Sequence, residues 1–518
     1  MRSVQVWFGF VYWWCFSILT TGGSVPSTAK ICHQYMQCAK NQEMGVSKVT
    51  LRFNRTMWDE YRAGKEFDFP TWSWSELDEI SREYDLLGVI FNGLEIPRLD
   101  VLDGHGSVTS LNLDGNQIAT METEAFAHFV NLSSLSLRNN MLTAVNEALF
   151  YFPNQLMQLN LSGNSIRETN GFKGLTWSRL QHLNLSHNQI ESVRNQLSKL
   201  EALVTLDLSC NAIKNGERPI ILPRSVQRLH IDHNNLTAWP FDSVPDALVE
   251  LSLSFNNIDH TTKLAPSVRR LDLSSNRLAS FCSYCFPALE AIDLSSNYFD
   301  HFPLLSNSTG VWSVRQIAFN RMPHLRSIEK VAFDGAANLK DLQISFCPRL
   351  SSIESNAFTE LLQLQRLDLS YNGLQQFPRD MANWKTIKHG VNLQGNPINC
   401  NCTMQWLLDD VIPAMHTHRE LHHLFENLRC ARPPAFREQP LAFLTVHDNM
   451  LCRQYREMDL PGMEYVAQLM KDQHDLETIR IQQMILAGLI VAIIITGAYL
   501  AHLKCSQPKY TVRPLYYQ

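Results

Sequence analysis

The sequence lacks the features that mark several protein classes. Its 45 lysine and arginine residues are outnumbered by 50 aspartate and glutamate residues, so the formal net charge is −5. A nucleic-acid-binding protein needs a basic face, and this balance gives no sign of one. No H-E-x-x-H metal motif and no spaced nucleophile–base set stands out, so an enzyme is the least favoured function and no cofactor is predicted. A hydrolytic activity that is lost when a chelator is added would support the enzyme hypothesis.

Two weaker chemical motifs also lack their usual companions. His418 and His422 lie four residues apart in a histidine-rich stretch, so we expect them to share one helix face, but Arg419 stands where a zinc protease needs glutamate. We interpret the stretch as a solvated polar helix face, with a pH-sensing cluster as the alternative. Cys282 and Cys285 form a C-x-x-C pair without a second ligand pair or a thioredoxin-type setting, which predicts a local disulfide or two separate loop thiols.

What the chain does contain is one pattern, L-x-x-L-x-L-x-x-N-x-L, that recurs between Val108 and Ile398. A clear copy is Leu180-Gln-His-Leu-Asn-Leu-Ser-His-Asn-Gln-Ile190. The spacing of 20 to 25 residues is the period of a leucine-rich repeat. The thirteen ladder positions, which asparagine usually fills, are Asn116, Asn140, Asn164, Asn188, Asn211, Asn234, Asn256, Asn276, Asn297, Met322, Cys347, Asn372 and Asn396.

The repeat predicts an α/β solenoid, a leucine-rich-repeat horseshoe with a parallel β-sheet on its concave face. Each L-x-L core is a short strand whose leucines point the same way, and stacked units bury them together. The ladder asparagine should satisfy backbone groups that the following turn leaves unpaired. At the two exceptions we expect Cys347 to be a small buried side chain and Met322 to make the stacking locally irregular.

The two ends predict a membrane address. Residues 1–23 read as a secretory signal peptide, with a signal anchor as the alternative. Residues 484–503 are apolar and long enough for one transmembrane helix. The cytoplasmic tail, 504–518, contains basic but no acidic residues, so the protein should be single-pass in the plasma membrane with its N-terminus extracellular. The tail is too short for a signalling domain, so signalling would need an associated co-receptor.

Cysteines and sequons agree with a secreted ectodomain. Ten of the twelve cysteines would lie in an oxidising compartment. The sequence contains seven N-x-S/T glycosylation sequons, at Asn54, Asn131, Asn160, Asn184, Asn235, Asn307 and Asn401.

Regions that flank the repeats (residues 108–398) should cap and connect them. Residues 24–107 read as an N-terminal cap with divergent first repeats, where a Cys32–Cys38 bond is predicted. Residues 399–453 form a cysteine-rich segment with Cys400, Cys402, Cys430 and Cys452, for which sequence alone leaves three pairings open. Residues 454–483 read as a helical juxtamembrane stalk, either solvated or forming a short coiled-coil dimer contact.

Taken together, signal, repeats, C-x-C cap, single span and short tail resemble extracellular leucine-rich-repeat receptors, and most of all the leucine-rich immune proteins of insects (mosquito-type) in their membrane-spanning form. The resemblance implies the bonds Cys400–Cys430 and Cys402–Cys452. It also implies recognition of pathogens and binding of complement-like proteins. The usual N-terminal cap has four cysteines where this chain has two, and the TIR domain of Toll-type receptors is missing, which puts direct Toll-type signalling in doubt.

Side chains that flank the strand leucines predict where a ligand lies. Arg228, His230, Glu250, Arg270 and Asp272 form the most charged group on the predicted concave face. Glycans on the adjacent Asn160 and Asn184 would push a ligand towards later repeats. Two functions remain: a cell-surface receptor for a protein or microbial ligand, or an adhesion molecule that binds its like or another protein on neighbouring cells. Aggregation of expressing cells would separate them.

Overall fold

The computed structural model describes residues 36–43, 46–53, 86–99, 106–122, 124–145, 155–172, 177–261, 263–303, 312–384, 387, 389–444 and 451–452. The predicted signal peptide, stalk, membrane span and tail lie outside these residues, as do Asn54, Asn307 and the side chains of Cys32 and Cys38. Within the described residues, no helix has both the length and the apolar character needed to cross a bilayer. Internal contacts divide the chain into two compact units, one of residues 1–400 and 406–446 and one of residues 401–405 and 447–518.

The first unit is built from short strands. In chain order the strands are β1 (Met36–Glu43), β2 (Val46–Phe53), β3 (Leu86–Ile90), β4 (Arg98–Leu99), β5 (Val108–Asn112), β6 (Thr120–Met121), β7 (Ser134–Ser136), β8 (Gln158–Asn160), β9 (His182–Asn184), β10 (Thr205–Asp207), β11 (Arg228–His230), β12 (Glu250–Ser252), β13 (Arg270–Asp272), β14 (Ala291–Asp293), β15 (Gln316–Ala318), β16 (Ser327–Ile328), β17 (Asp341–Gln343), β18 (Ser352–Ile353), β19 (Arg366–Asp368), β20 (Val391–Asn392), β21 (Ile398–Asn399) and β22 (Cys430–Arg432).

Sixteen of these strands form one sheet in the order β1-β2-β3-β5-β7-β8-β9-β10-β11-β12-β13-β14-β15-β17-β19-β20. β1 pairs with β2 antiparallel, and every later pair is parallel. The predicted leucine-rich-repeat solenoid with its long parallel sheet is therefore confirmed. β3 belongs to a divergent repeat, because Leu94 follows it where later repeats have asparagine and donates its N–H to Asn116 Oδ1 at 2.9 Å.

The central leucine or isoleucine of each three-residue strand in the main sheet is buried, while most of its neighbours are at least partly exposed. Leu206, in β10, pairs in register with Leu183 and Leu229 of the adjacent strands, and all three are at most 1% exposed. A fully buried leucine contributes about 1.5–3 kcal/mol, and one repeat cannot bury its own. The repeats therefore gain their stability by stacking.

Ladder asparagines close the turn after each strand. Asn188 donates Nδ2–H to the carbonyls of Leu161 and Leu185, both at 3.0 Å, and its Oδ1 accepts the N–H of Ile166 at 3.0 Å. One side chain thus bonds two successive repeats. The residue before a ladder asparagine has a left-handed backbone. Gly163, before Asn164, adopts it at φ 69° at no steric cost, and His187, before Asn188, adopts it at φ 53°.

The expected irregularity at Met322 is wrong. β15 pairs with β14 and with β17 over three residues each, in the same register as neighbouring pairs. Met322 is fully buried, and its N–H donates to Cys347 Sγ at 3.4 Å. Cys347 is fully buried, as predicted, and its thiol is free, so the pair fills the ladder without disturbing the strands.

The described connections between the strands of the main sheet contain short elements. Two pairs of two-residue strands, β4 with β6 and β16 with β18, run there, together with 3-10 turns at Asn170–Phe172, Ser283–Cys285, Lys330–Phe333 and Arg379–Met381. The C-terminal part holds a π-turn at Leu407–Val411, helices α1 (Ile412–His416) and α2 (Leu441–Leu444), and 3-10 turns at Cys402–Met404, Arg419–Leu424 and Pro434–Phe436.

Disulfides join the C-terminal part as the resemblance implies. Cys400 and Cys430 are bonded in the first unit, where β21 pairs with β22. Cys402 and Cys452 are bonded in the second unit, where Leu451 N–H also donates to Gln405 Oε1 at 2.9 Å.

The histidine stretch departs from its prediction. α1 ends at His416, and His418 has extended backbone angles (φ −110°, ψ 105°) before a separate 3-10 turn begins at Arg419. His418 and His422 therefore do not share a helix face. In this turn Leu421 packs inward and is 9% exposed. The four-residue spacing of the two histidines gives no sign of the break between the helix and the turn.

Candidate ligand-binding face

The exposed side of the parallel sheet is the candidate site, and we call it the strand face. It carries the first and third residues of each three-residue strand, because their side chains point away from the buried central residue. The first residues line up across the sheet as one row and the third residues as another, since the strands pair in register. We call these the first row and the third row.

A depression of about 550 Å³ crosses the strand face from β11 to β17. Its lining includes the carboxylates of Glu250, Asp272, Asp293 and Asp341 but only one guanidinium, that of Arg270. His230 and uncharged residues complete it. The lining therefore has four negative charges against one positive charge when histidine is neutral. We call it the acidic depression.

Charges in the first row compensate one another. Arg270 lies 3.9 Å from Glu250, and Arg366 lies 4.0 Å from Asp341. Both arginines are well exposed, so these pairs contribute little to stability, about 0–1 kcal/mol each. They do neutralise the first row locally.

The third row is acidic and less compensated. Asp272 and Asp293 are register partners on β13 and β14. Each accepts, at Oδ1, the backbone N–H of the serine two residues further on, Ser274 at 2.9 Å and Ser295 at 2.8 Å. Burial raises the pKa of Asp272, and the nearby Asp293 and Asp232 raise it further, while the hydrogen bonds from Ser274 lower it. A positively charged ligand group next to Asp272 would favour the ionised form of its carboxyl group.

Towards β7 the strand face is polar and nearly neutral. A second depression of about 440 Å³ is lined by hydroxyl, amide and imidazole side chains and one carboxylate, Asp207. Asn160 and Asn184, both in sequons, lie in its third row, where each Oδ1 accepts the N–H and the hydroxyl of the serine two residues on. We call this the neutral depression.

The residues singled out from sequence lie together on the strand face. His230, Glu250, Arg270 and Asp272 line the acidic depression, while Arg228 lies beside it and donates to Thr205 Oγ1 at 3.1 Å. Sequence reasoning missed Asp293 and Asp341. Asp293 precedes Leu-Ser-Ser-Asn just as Asp272 does, so the repeat register itself was the signal that locates it.

The cysteines and the possible metal ligands among the described residues do not point to a second functional site. Cys282 and Cys285 form a local disulfide, one of the two alternatives left open by the sequence. Burial raises the pKa of the Cys347 thiol to about 11, and burial with Asp207 and Asp232 raises that of half-exposed Cys210. Across the described ranges, no group of three His, Cys, Asp or Glu side chains could hold a metal ion.

Family comparisons agree with the repeat pattern. Models described as "Leucine rich repeat", "Leucine Rich repeats (2 copies)" and "BspA type Leucine rich repeat region (6 copies)" match residues 106–166, 178–215 and 310–390. No curated protein matches the chain significantly.

Solved structures are similar to this chain at low sequence identity. The TLR13–ssRNA13 complex is 19% identical, with a TM-score of 0.50 over 69% of this chain, and this chain spans only 57% of the TLR13 chain. The leucine-rich repeat domain of APL1B is 20% identical over 67% of this chain and 93% of its own, with a TM-score of 0.44. The Drosophila Toll–Spatzle complex is 15% identical over 81% and 76%, with a TM-score of 0.47. These similarities concern the fold alone.

Proposed function

We propose that this chain, which is a leucine-rich-repeat protein, holds a protein or microbial ligand on its strand face as a cell-surface receptor. The observation that carries the proposal is the acidic depression across β11–β17, a charged and recessed part of an otherwise regular sheet. Strand surfaces of solenoids commonly bind proteins, since they present many short side chains on a rigid frame.

The receptor part of the proposal rests on the predicted ends of the chain. A secretory signal would place the repeats outside the cell, and residues 484–503 would anchor them there. In this proposal, a ligand-bound receptor would pass its signal through an associated co-receptor. The stalk predicted over residues 454–483 would be one place for such a contact or for a dimer.

An innate immune role is the finer proposal. It rests on the resemblance of the chain's architecture to leucine-rich immune proteins of insects, which implies a complement-like or microbial ligand. To test it, the full chain would be expressed in a glycosylating host, purified in detergent and used to capture ligands from body fluid. Capture of a complement-like or microbial component supports immune recognition, whereas capture of only the same chain contradicts it.

Adhesion is the alternative function, favoured by the length of exposed sheet available to a second copy. Cells that express the full chain would be mixed with unlabelled cells that do or do not express it. Aggregation that requires the chain on both cell populations would replace the receptor proposal with homophilic adhesion. Aggregation with non-expressing cells would indicate a heterophilic adhesion partner.

A glycan placed in the acidic depression tests the binding surface itself. Asp272→Asn creates the sequon Asn-Leu-Ser, and Asp207→Asn creates the same sequon in the neutral depression. Asn160 and Asn184 occupy the same strand position in sequons of the same type, so the substitutions repeat side chains the fold already accepts. A glycan at position 272 should abolish ligand capture and one at position 207 should not. Full capture with position 272 glycosylated would defeat the proposal.

A further inference from the structure

We propose that the acidic depression binds an arginine-bearing segment of the partner protein, with one guanidinium bridging Asp272 and Asp293. This rests on the proposed function, because it specifies the chemistry of a ligand held on the strand face. The sheet face has no covering element at this place within the described residues, and the charge of its lining selects the occupant.

The two carboxylates are placed as a pair. Asp272 and Asp293 are direct register partners on parallel strands, and adjacent strands lie about 4.8 Å apart. Both use Oδ1 to accept a serine N–H, at 2.9 and 2.8 Å, which fixes the two side chains in the same orientation. Like charges directly opposite each other on a sheet are destabilising. The two carboxylates therefore lower the stability of the free protein, and a bound cation would neutralise their charge.

The pair differs from the other charges on the strand face. Glu250 and Asp341 already have Arg270 and Arg366 beside them in the first row. Among the described residues, neither Asp272 nor Asp293 has an ion pair. Arg269 precedes β13 and Arg315 precedes β15, but neither lines the depression. The unmatched negative charge therefore lies in the third row, towards the ends of the strands.

Arginine fits this pair better than lysine. Its planar guanidinium presents several N–H donors in a fork, so one group can donate to two carboxylates about a strand spacing apart. It is also more weakly hydrated than an ammonium group, and Asp272 is half-buried, so desolvation costs arginine less. We therefore expect discrimination between the two cations as well as between charged and neutral segments.

Serine substitutions test the contact without adding a glycan. Asp272→Ser combined with Asp293→Ser removes both charges and creates no sequon. Serine is already the third residue of β7 (Ser136) and β12 (Ser252), so the fold accepts it there. The matched control is Asp207→Ser, because Asp207 accepts the N–H of Ser209 in the same way at 3.0 Å but lies outside the acidic depression.

The probe is a fluorescein-labelled dodecapeptide of alternating arginine and glycine, with lysine and glutamine versions for comparison. Binding to the full chain in detergent would be followed by fluorescence anisotropy at low ionic strength. The double serine variant should bind the arginine peptide on the order of tenfold more weakly. Asp207→Ser should bind it within about twofold of the unchanged protein, the lysine peptide should bind more weakly and the glutamine peptide not at all.

Three results would overturn the arginine contact: no binding to the unchanged protein, equal losses in the double variant and in Asp207→Ser, or equal affinity for the arginine and lysine peptides. The partner captured by the full chain separates this inference from the proposed function. If a glycan at position 272 abolishes capture but the double serine variant captures normally, the strand face binds its ligand without the arginine contact. If neither change affects capture, the proposed function fails as well.

Discussion

At the residue scale, the ladder asparagine is the side chain that converts a repeated sequence into a stack. Asn297 is fully buried, donates to the carbonyls of Leu273 and Leu294 at 3.0 and 2.8 Å, and accepts the N–H of Leu278 at 2.9 Å. These groups belong to two successive repeats. Removing the side chain would leave two buried backbone groups, the Leu294 carbonyl and the Leu278 N–H, without their partner. The Leu273 carbonyl would keep only its hydrogen bond from Asn276.

We predict that Asn297→Ala lowers the free energy of unfolding by about 2–4 kcal/mol, since each orphaned buried polar group costs about 1–3 kcal/mol and some are rescued by water. Urea unfolding followed by circular dichroism would measure it. The control is Asn257→Ala, which loses one exposed hydrogen bond to Asn235 and should change stability by less than about 0.5 kcal/mol. Equal effects of the two substitutions would contradict the ladder's role.

The raised pKa of Asp272 predicts a pH effect of definite sign. The folded protein keeps the proton of this carboxyl to a higher pH than the unfolded chain, whose value is near 3.8. Folding is therefore penalised at neutral pH, and the penalty disappears as pH falls through the raised pKa. The unchanged protein should gain stability relative to Asp272→Ser as the pH is lowered from 7 towards the unfolded value of 3.8. A relative loss, measured by paired urea titrations, would be the opposite of this account.

At the element scale, sequence predicted the strands well and the C-terminal turns poorly. A strand is located by two leucines and the ladder residue after it, and that pattern is local, as the register from Leu183 to Leu229 shows. The break at His418 depends instead on which apolar residue packs inward, here Leu421. Likewise, the sequence was enough to predict that Arg228, His230, Glu250, Arg270 and Asp272 form a charged group. It could not show that Glu250 pairs with Arg270, or that Asp272 has no ion pair among the described residues, because both depend on where the side chains lie.

The two disulfides of the first unit should differ in their contribution to stability. The Cys400–Cys430 bond spans 30 residues of sequence and the Cys282–Cys285 bond only 3. In the chain-entropy description, the longer loop stabilises by about 4 kcal/mol and the shorter by about 2 kcal/mol. We predict that replacing both cysteines of the longer loop by serine lowers the urea midpoint more than replacing both of the shorter one. The reverse order would show that the Cys282–Cys285 bond contributes more to stability than the Cys400–Cys430 bond.

At the scale of the whole molecule, the predicted address can be tested directly. Residues 484–503 are mostly apolar and contain no lysine, arginine, aspartate or glutamate, with His502 near the end, and we predict that they hold the full chain in a membrane. After an alkaline carbonate wash, the chain should stay in the membrane pellet and move to the supernatant only when detergent is added. Release by the wash alone would refute an integral membrane span and with it the proposed receptor.

Carboxylate footprinting of the captured complex tests the central claim, that the strand face holds the ligand. The full chain, free and ligand-bound, would be labelled with a carbodiimide and an amine and then mapped by mass spectrometry. We predict that ligand binding protects Glu250, Asp272 and Asp293, while the exposed Glu217 and Glu360 away from the acidic depression label equally in both states. Protection of Glu217 or Glu360 with unchanged labelling of the acidic depression would contradict the account.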